Sequence, residues 1–284
     1  MSAGRPFLVV SDVHLGAVSA DTERAFRAFL RYAGETAAGL VINGDLFDVW
    51  IPSRRFVLRP YVRVLAQLAE LVEQGLPVYF VGGNHDALEY SERVLREDIG
   101  VRVLGDPARL ELGPFTALVA HGDGVGMSSG RYSKENAVLR WLLRRPVVRS
   151  LVARLASEDW LYDRVSGWSR VPGIVARHSR GEGTGPKPDA RRVESWAREQ
   201  LRRFPDIDLV LSGHAHLPAW AEVEPGRFYL NTGDWIEHMS YAWLPADRGS
   251  PEIRRWPDHA VVLPPQRAES TVPDSGRREK ADRA

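Results

Sequence analysis

An α/β fold built on a parallel sheet follows from three features of this 284-residue chain. Apolar runs rich in β-branched and aromatic residues recur at Phe7-Leu8-Val9-Val10, Leu40-Val41-Ile42 and Val78-Tyr79-Phe80-Val81. Segments of helical periodicity separate them, and strand–helix–strand–helix–strand is the order of a parallel sheet. Each run also stops abruptly in residues of the Asp, His, Asn and Gly types. Such residues leave the C-terminal edge of the strands, where open α/β sheets place their chemistry.

Composition narrows the chemistry. The content of 44% hydrophobic and 26% charged residues is that of an ordinary globular protein, and the length suffices for one large domain with an insert. With no cysteine, disulfides, thiolate metal sites and cysteine nucleophiles are excluded, so any metal is held by nitrogen and oxygen. Phe7 to Val10 already reads as a core strand with no signal-type apolar segment before it, and no run approaches the ~18 apolar residues of a membrane span. A cytoplasmic protein is expected. The net charge of +1 hides an asymmetry: Arg131 to Phe204 holds 17 Lys/Arg against 8 Asp/Glu, a local +9 that leaves −8 for the remainder. The basic segment faces something acidic or is simply solvated.

In chain order, Phe7 to Gly16 reads as a strand ending in Ser11-Asp12-Val13-His14. In an extended continuation Asp12 and His14 would share one side. A loop aspartate and a surface histidine are an equally ordinary reading of that pair. Asp21 to Ala38 has helical spacing of Phe26, Phe29 and Leu30, with Asp21 as N-cap. The strand Leu40-Val41-Ile42 runs into Asn43-Gly44-Asp45-Leu46-Phe47-Asp48. A second helix spans about Pro60 to Gln74, with Val64, Leu65, Leu68 and Leu71 on one face and Gly75 as the stop. The third strand ends in Gly82-Gly83-Asn84-His85-Asp86. A short helix near Ser91 to Asp98 precedes short strands at 101–104, 110–112 and 115–120, partly antiparallel, the last delivering His121-Gly122-Asp123-Gly124. Residues 133–204 read as a mainly helical, basic insert over the mouth of the main domain, or as a peripheral helical subdomain with solvated arginines. Strand character returns at Leu209-Val210-Leu211, ending in Ser212-Gly213-His214-Ala215-His216. A hairpin around Pro225-Gly226 and a strand from Ser240 to Trp243 follow. The domain organisation is therefore 1–132 with 205–263, the insert at 133–204, and a polar tail at 264–284 expected to be disordered.

Taken together, Asp12, His14, Asp45, Asn84, His121, His214 and His216 are two carboxylates, one amide and four imidazoles from five strand ends. Each alone has a bland explanation, since histidines are commonly packed or solvated and Asn-His-Asp is a common turn composition. Five apolar runs ending in this way are hard to assign to chance. The donor types suit two borderline divalent ions such as Mn, Fe, Zn or Co and argue against calcium. Cations ~3.5–4 Å apart need an anion between them, and Asp45, from the central loop, is the natural bridge.

The motifs Asp12-x-His14, Gly44-Asp45, Gly83-Asn84-His85-Asp86, His121 and Gly213-His214-x-His216 resemble, in order, the five-motif signature of the calcineurin-like metallophosphoesterases. That resemblance implies an α/β/β/α sandwich and two divalent cations, Mn first. One takes Asp12, His14, Asp45 and His216, and the other takes Asp45, Asn84, His121 and His214. The continuation Asp45 to Ile51, the glycine-rich run after His121, the insert, and Gly233-Asp234-Trp235 with Ser240-Tyr241 are similar to the UDP-2,3-diacylglucosamine diphosphatase family of lipid A synthesis. Well-studied proteobacterial members of that family carry arginine where this chain has His85.

The resemblance implies a metal-dependent hydrolase that cleaves a nucleotide-linked acylated sugar to UMP and the sugar 1-phosphate. His85 and Asp45 are the expected catalytic residues, and Tyr132 a substrate contact; Asp48, Asp86 and Asp123 are candidates to orient the ligands, with simple loop hydrogen bonding an almost equal reading of each. The basic, Trp- and Leu-containing insert suits phosphates, acyl chains and an anionic membrane surface. Two other readings stay open: a phosphoesterase for another nucleotide or phospholipid diester, and a non-catalytic scaffold on the same fold. Eight acidic residues interrupt the insert's charge, and no nucleic-acid partner is expected.

Overall fold

The computed structural model describes residues 4–50, 57, 59–86, 91, 93–125, 173–176, 180 and 188–263. In chain order the strands are β1 (Phe7–Val10), β2 (Gly39–Asn43), β3 (Val78–Val81), β4 (Arg102–Leu104), β5 (Ala108–Leu112) and β6 (Phe115–Val119). They continue as β7 (Leu209–Ser212), β8 (Ala219–Glu224), β9 (Arg227–Asn231), β10 (Ser240–Leu244), β11 (Glu252–Arg255) and β12 (Val261–Leu263). Among the described residues the long α-helices are α1 (Ala20–Thr36), α2 (Val62–Glu73) and α3 (Pro188–Arg203).

Two sheets form, a seven-stranded one in the order β12-β11-β10-β1-β2-β3-β4 and a five-stranded one in the order β5-β6-β7-β9-β8. Strands β1 to β4 are mutually parallel, as are β6, β7 and β9. The C-terminal ends of six of them, β1, β2, β3, β6, β7 and β9, lead into the loops that carry the candidate site.

Alternation along the strands explains the layering. Leu8, Val10, Leu40, Ile42, Val78 and Phe80 pack towards α1 and α2, against Phe26, Phe29, Leu30, Val64 and Leu68. Val9, Val41 and Val81 point the other way and meet Ala117, Val119, Leu209, Leu211 and Leu230 of the second sheet. Strands covered on both faces need unbroken apolar runs, which is why these look continuous rather than alternating. On the far side Val193, Ala197 and Leu201 of α3 cover Val210 and Tyr229. The result is the α/β/β/α sandwich.

Several expectations are corrected. The N-cap of α1 is Ser19, whose Oγ accepts from Thr22 N at 3.1 Å, while Asp21 lies in the first turn and pairs with Arg24. The short helix near Ser91 to Asp98 is present, helical at Ser91 and Arg93 and widening to a π-helical turn over Val94–Ile99. Of the short strands, β5 and β6 are antiparallel but β4 is parallel to β3 in the other sheet. Strands β11 and β12 had no periodic signal: Glu252-Ile253-Arg254-Arg255 fully buries only Ile253. Gly75 does end α2, with φ +88° and its N–H donating to Val72 O. Helix α3 falls within the segment assigned to the insert, yet it forms the outer layer of the second sheet. The remainder of 133–204 apart from 173–176 and 180, the tail from 264 and Tyr132 lie outside the described residues.

Candidate metal centre

The loops after β1 and β2 run side by side. Asp12 N donates to Gly44 O (3.0 Å), Val13 N and His14 N to Asp45 O (2.9 and 3.0 Å), and Leu15 N to Leu46 O (2.9 Å). These bonds hold Asp12, His14 and Asp45 together without an extended chain. Asp12 (φ +53°), His14 (+51°), Asp45 (+52°), His214 (+63°) and His216 (+51°) all adopt the left-handed conformation. The period-two geometry expected for Asp12 and His14 is therefore wrong in its reason, although the two side chains do meet. Left-handed backbone costs a residue with a side chain about 1–2 kcal/mol. Five such residues oppose folding by an amount approaching the whole net stability of a domain, so the packed core must hold them there.

The side chains gather into two groups. In the first, His216 Nε2 lies 3.3 Å from Asp12 Oδ1 and 3.3 Å from His14 Nε2, and His14 Nε2 is 3.9 Å from the same Asp12 oxygen. In the second, Asp45, His121 and His214 present their donor atoms within 4.8 Å of one another. Asp45 joins the two, its Oδ2 being 3.2 Å from His121 Nε2 and 3.8 Å from His14 Nε2. Asn84 follows Gly83 on the β3 loop with its Oδ1 shielded from solvent. Asp12, His14, Asp45 and His121 are all buried.

These residues fit a metal ion on their own evidence. The buried His121 Nε2 makes no aligned hydrogen bond, though Asp45 is near. Its Nδ1 lies 2.9 Å from the Asn43 carbonyl, which can only accept. Nδ1 therefore keeps a proton, and Nε2, the atom nearest Asp45, is the one that ligates once its own proton has left. Nitrogen and oxygen donors converging in this way can hold borderline divalent cations.

The neighbouring carboxylates do different work. Asp48 lies between two rings: its carbonyl is 2.9 Å from His85 Nδ1, and its Oδ1 is 3.6 Å from His14 Nδ1. Asp86 acts through the backbone. It accepts the backbone N–H groups of Asp45 (2.7 Å), Gly83 (2.8 Å) and Phe47 (3.1 Å), tying the β2 loop to the β3 loop. Asp45 Oδ1 in turn accepts His85 N at 2.9 Å. Asp123 acts at longer range. Burial, with the Asp123 charge, pushes Asp106 up to about 6, and Asp106 accepts the His121 N–H at 3.3 Å.

Burial acts to lower the His121 pKa, but the Asp45 charge and hydrogen bond, joined by the charges of Asp12 and Asp123, together outweigh it and raise it well above the ordinary value. Asp45 is correspondingly held well below the carboxylate range by His121, against its own burial. The two form an ion pair. His14 and His214 are both lowered, first by burial.

Sequence reasoning missed three supports. Asn43 orients His121. Ser11 hydrogen-bonds Asp12 and lies 2.6 Å from Thr232 Oγ1. Asp234, after β9, is fully buried with Oδ2 3.2 Å from His216 Nδ1. The signal for Asp234 was present: Tyr229-Leu230-Asn231-Thr232-Gly233-Asp234 is a sixth apolar run ending like the other five.

Known proteins are similar to this chain. Residues 5–218 match the family described as calcineurin-like phosphoesterase. A UDP-2,3-diacylglucosamine hydrolase of Porphyromonas gingivalis is 30% identical over 82% of this chain and 91% of its own. Those of Ectopseudomonas mendocina and Shewanella piezotolerans are 32% and 27% identical, over 80% and 84% of this chain and 89% and 94% of theirs.

Proposed function

Since the chain belongs to the calcineurin-like phosphoesterase family and is a metal-dependent phosphoesterase, we propose that it hydrolyses the pyrophosphate of UDP-2,3-diacylglucosamine, releasing UMP and the acylated sugar 1-phosphate. Two divalent cations are assigned, manganese first. Asp12, His14, Asp45 and His216 would hold one, and Asp45, Asn84, His121 and His214 the other. The observation that carries this reading is the placement of Asp45 between two donor groups, its Oδ2 within 3.2–3.8 Å of an imidazole from each.

Such ions, when bound, neutralise phosphoryl oxygens and acidify water near neutral pH. In the hydrolysis a water oxygen bonds to phosphorus, the P–O bond to the leaving phosphate breaks, and a proton is released. Asp45 is held by the His85 N–H, and Asp86 fixes the backbone on either side of it. His85 donates through Nδ1 to the Asp48 carbonyl, so Nε2 is the atom that can hand a proton to the leaving oxygen or support its charge. A nucleoside monophosphate leaves readily without that proton, which accords with arginine at this position in similar enzymes. His85 also supports a second reading, a phosphodiester with a poorer leaving group, where a general acid matters more.

The basic segment 133–204 supports action on an acylated substrate at the inner face of an anionic cell membrane. Among the described residues no helix is long and apolar enough to cross a membrane. The deciding experiment is turnover with manganese of UDP-2,3-diacylglucosamine and of bis-p-nitrophenyl phosphate. Activity on the first establishes the reading, activity on the second alone favours the diesterase, and none on either leaves the scaffold.

A further inference from the structure

Asp234 is a buried carboxylate that the ligand set above does not use. Its Oδ1 accepts the backbone N–H groups of Ile236 (3.2 Å), Glu237 (2.8 Å) and His238 (3.1 Å), and lies 3.2 Å from His238 Nδ1. Its Oδ2 lies 3.2 Å from Nδ1 of His216. The two oxygens thus face different partners. With Oδ1 committed to three amides, the side chain cannot rotate away from His216 without leaving those N–H groups unmet in a buried setting.

An ionised carboxylate can only accept, so Nδ1 of His216 must bear the proton. The neutral ring then has its lone pair on Nε2, the atom 3.3 Å from both Asp12 Oδ1 and His14 Nε2. We propose that Asp234 is a positioning residue that locks His216 in the Nδ1–H tautomer and so makes Nε2 the ligand atom, with His238 bracing the other carboxylate oxygen. The inference rests on His216 being a metal ligand as assigned above. Burial acts to raise the Asp234 pKa, but His216 and His238 hold it far below the carboxylate range, in keeping with a permanent acceptor. Asp234, Glu237 and His238 also come within 4.8 Å of one another. The amides already on Asp234 Oδ1 make this cluster a brace rather than a cation site.

The test is Asp234→Asn, which keeps the shape and reverses one polarity. The three backbone N–H groups require the amide oxygen on their side, so the amide N–H faces His216. Nδ1 must then accept, the proton moves to Nε2, and that atom can no longer bind a cation. Calorimetric titration of the metal-free protein with Mn²⁺ should show two equivalents for the wild type. In Asp234→Asn one equivalent should be weakened ~10–100-fold and the other unchanged, the usual range for loss of a support behind a ligating histidine.

Long-range ¹H–¹⁵N NMR at alkaline pH, with His216→Gln giving the assignment, should place the proton of His216 on Nδ1 in the wild type and on Nε2 in Asp234→Asn. A merely structural aspartate would not move that signature. Two tight equivalents in Asp234→Asn would overturn the inference. So would an Nε2 proton on His216 in the wild type, a result that does not depend on Asp234→Asn folding. A wild type that binds fewer than two equivalents would instead remove the ligand assignment itself, and the inference with it.

Discussion

A Cβ built on Gly83 would lie 2.2 Å from Asp45 Oδ1 and 2.6 Å from the Asp45 backbone nitrogen. The β3 loop therefore passes against the central carboxylate with no room for a side chain. Gly83→Ala should push Asp45 from between the two imidazole groups. Overpacking of this kind costs about 1–3 kcal/mol in stability, but a displacement near 1 Å at a reacting centre costs ~10²-fold in rate. Turnover should thus fall much further than the melting temperature. Gly75→Ala is the control. It meets nothing within 4 Å, and its strain at φ +88° lies far from the site, so stability should drop by about 1–2 kcal/mol with turnover retained.

His85 separates the two substrate readings. Its Nδ1 is fixed on the Asp48 carbonyl, so His85→Ala removes a proton donor while leaving the donor groups around Asp45 in place. For a phosphodiester with a poor leaving group the loss should reach ~10²–10⁴-fold, the usual worth of a positioned acid. For a pyrophosphate whose leaving group is a nucleotide it should be far smaller. Rates for both substrates across the same variant decide the matter. Equal large losses on both would remove the distinction drawn here.

Much of this centre was legible in the sequence because a parallel strand buried on both faces writes an unbroken apolar run, and the residues after it stand at one sheet edge. That logic found the β1, β2, β3, β6 and β7 loops. It failed where the reason was local backbone geometry. Asp12 and His14 look like an extended pair, yet both are left-handed because the β1 and β2 loops bond to each other. Long-range pairing is equally invisible: nothing in Asn-Thr-Gly-Asp says that Asp234 reaches His216, eighteen positions earlier. Nor does any period mark β11, a short charged strand that only its neighbours define.

Asp86 illustrates the difference between sitting near a site and holding it. Its sequence position allows it either to orient a ligand or to hydrogen-bond within its loop, and it collects three backbone N–H groups from two loops. Asp86→Ala would strand all three in a buried place, at about 1–3 kcal/mol each, so the expected result is a marginal or unfolded protein. Asp123→Asn, at a half-buried position, should fold normally and lose little activity. Chemical denaturation of the two variants checks the contrast, and an Asp86→Ala protein of native stability would refute the role given to it.

The His121–Asp45 ion pair predicts how metal loading responds to pH. Against its burial, the Asp45 charge and hydrogen bond with the charges of Asp12 and Asp123 raise the His121 pKa well above the ordinary histidine value and favour its protonated form in the metal-free protein. Its Nδ1 proton is held by Asn43 O, so the proton that must leave for a cation to bind is the one on Nε2. Binding should therefore release about one proton from this pair at neutral pH, and apparent affinity should climb as pH rises until the elevated value is passed. The stability sign follows for each partner. The raised histidine contributes fully below its unfolded pKa and loses that contribution as pH rises through the folded one. The lowered Asp45 contributes above its unfolded pKa and loses that contribution as pH falls through its own depressed value. The metal-free protein should therefore be stabilised by the pair across the neutral range and weaken towards alkaline pH, where the metal-loaded protein gains. Titration calorimetry with Mn²⁺ in two buffers of different ionisation enthalpy measures the proton directly, and a heat independent of buffer would contradict the pairing.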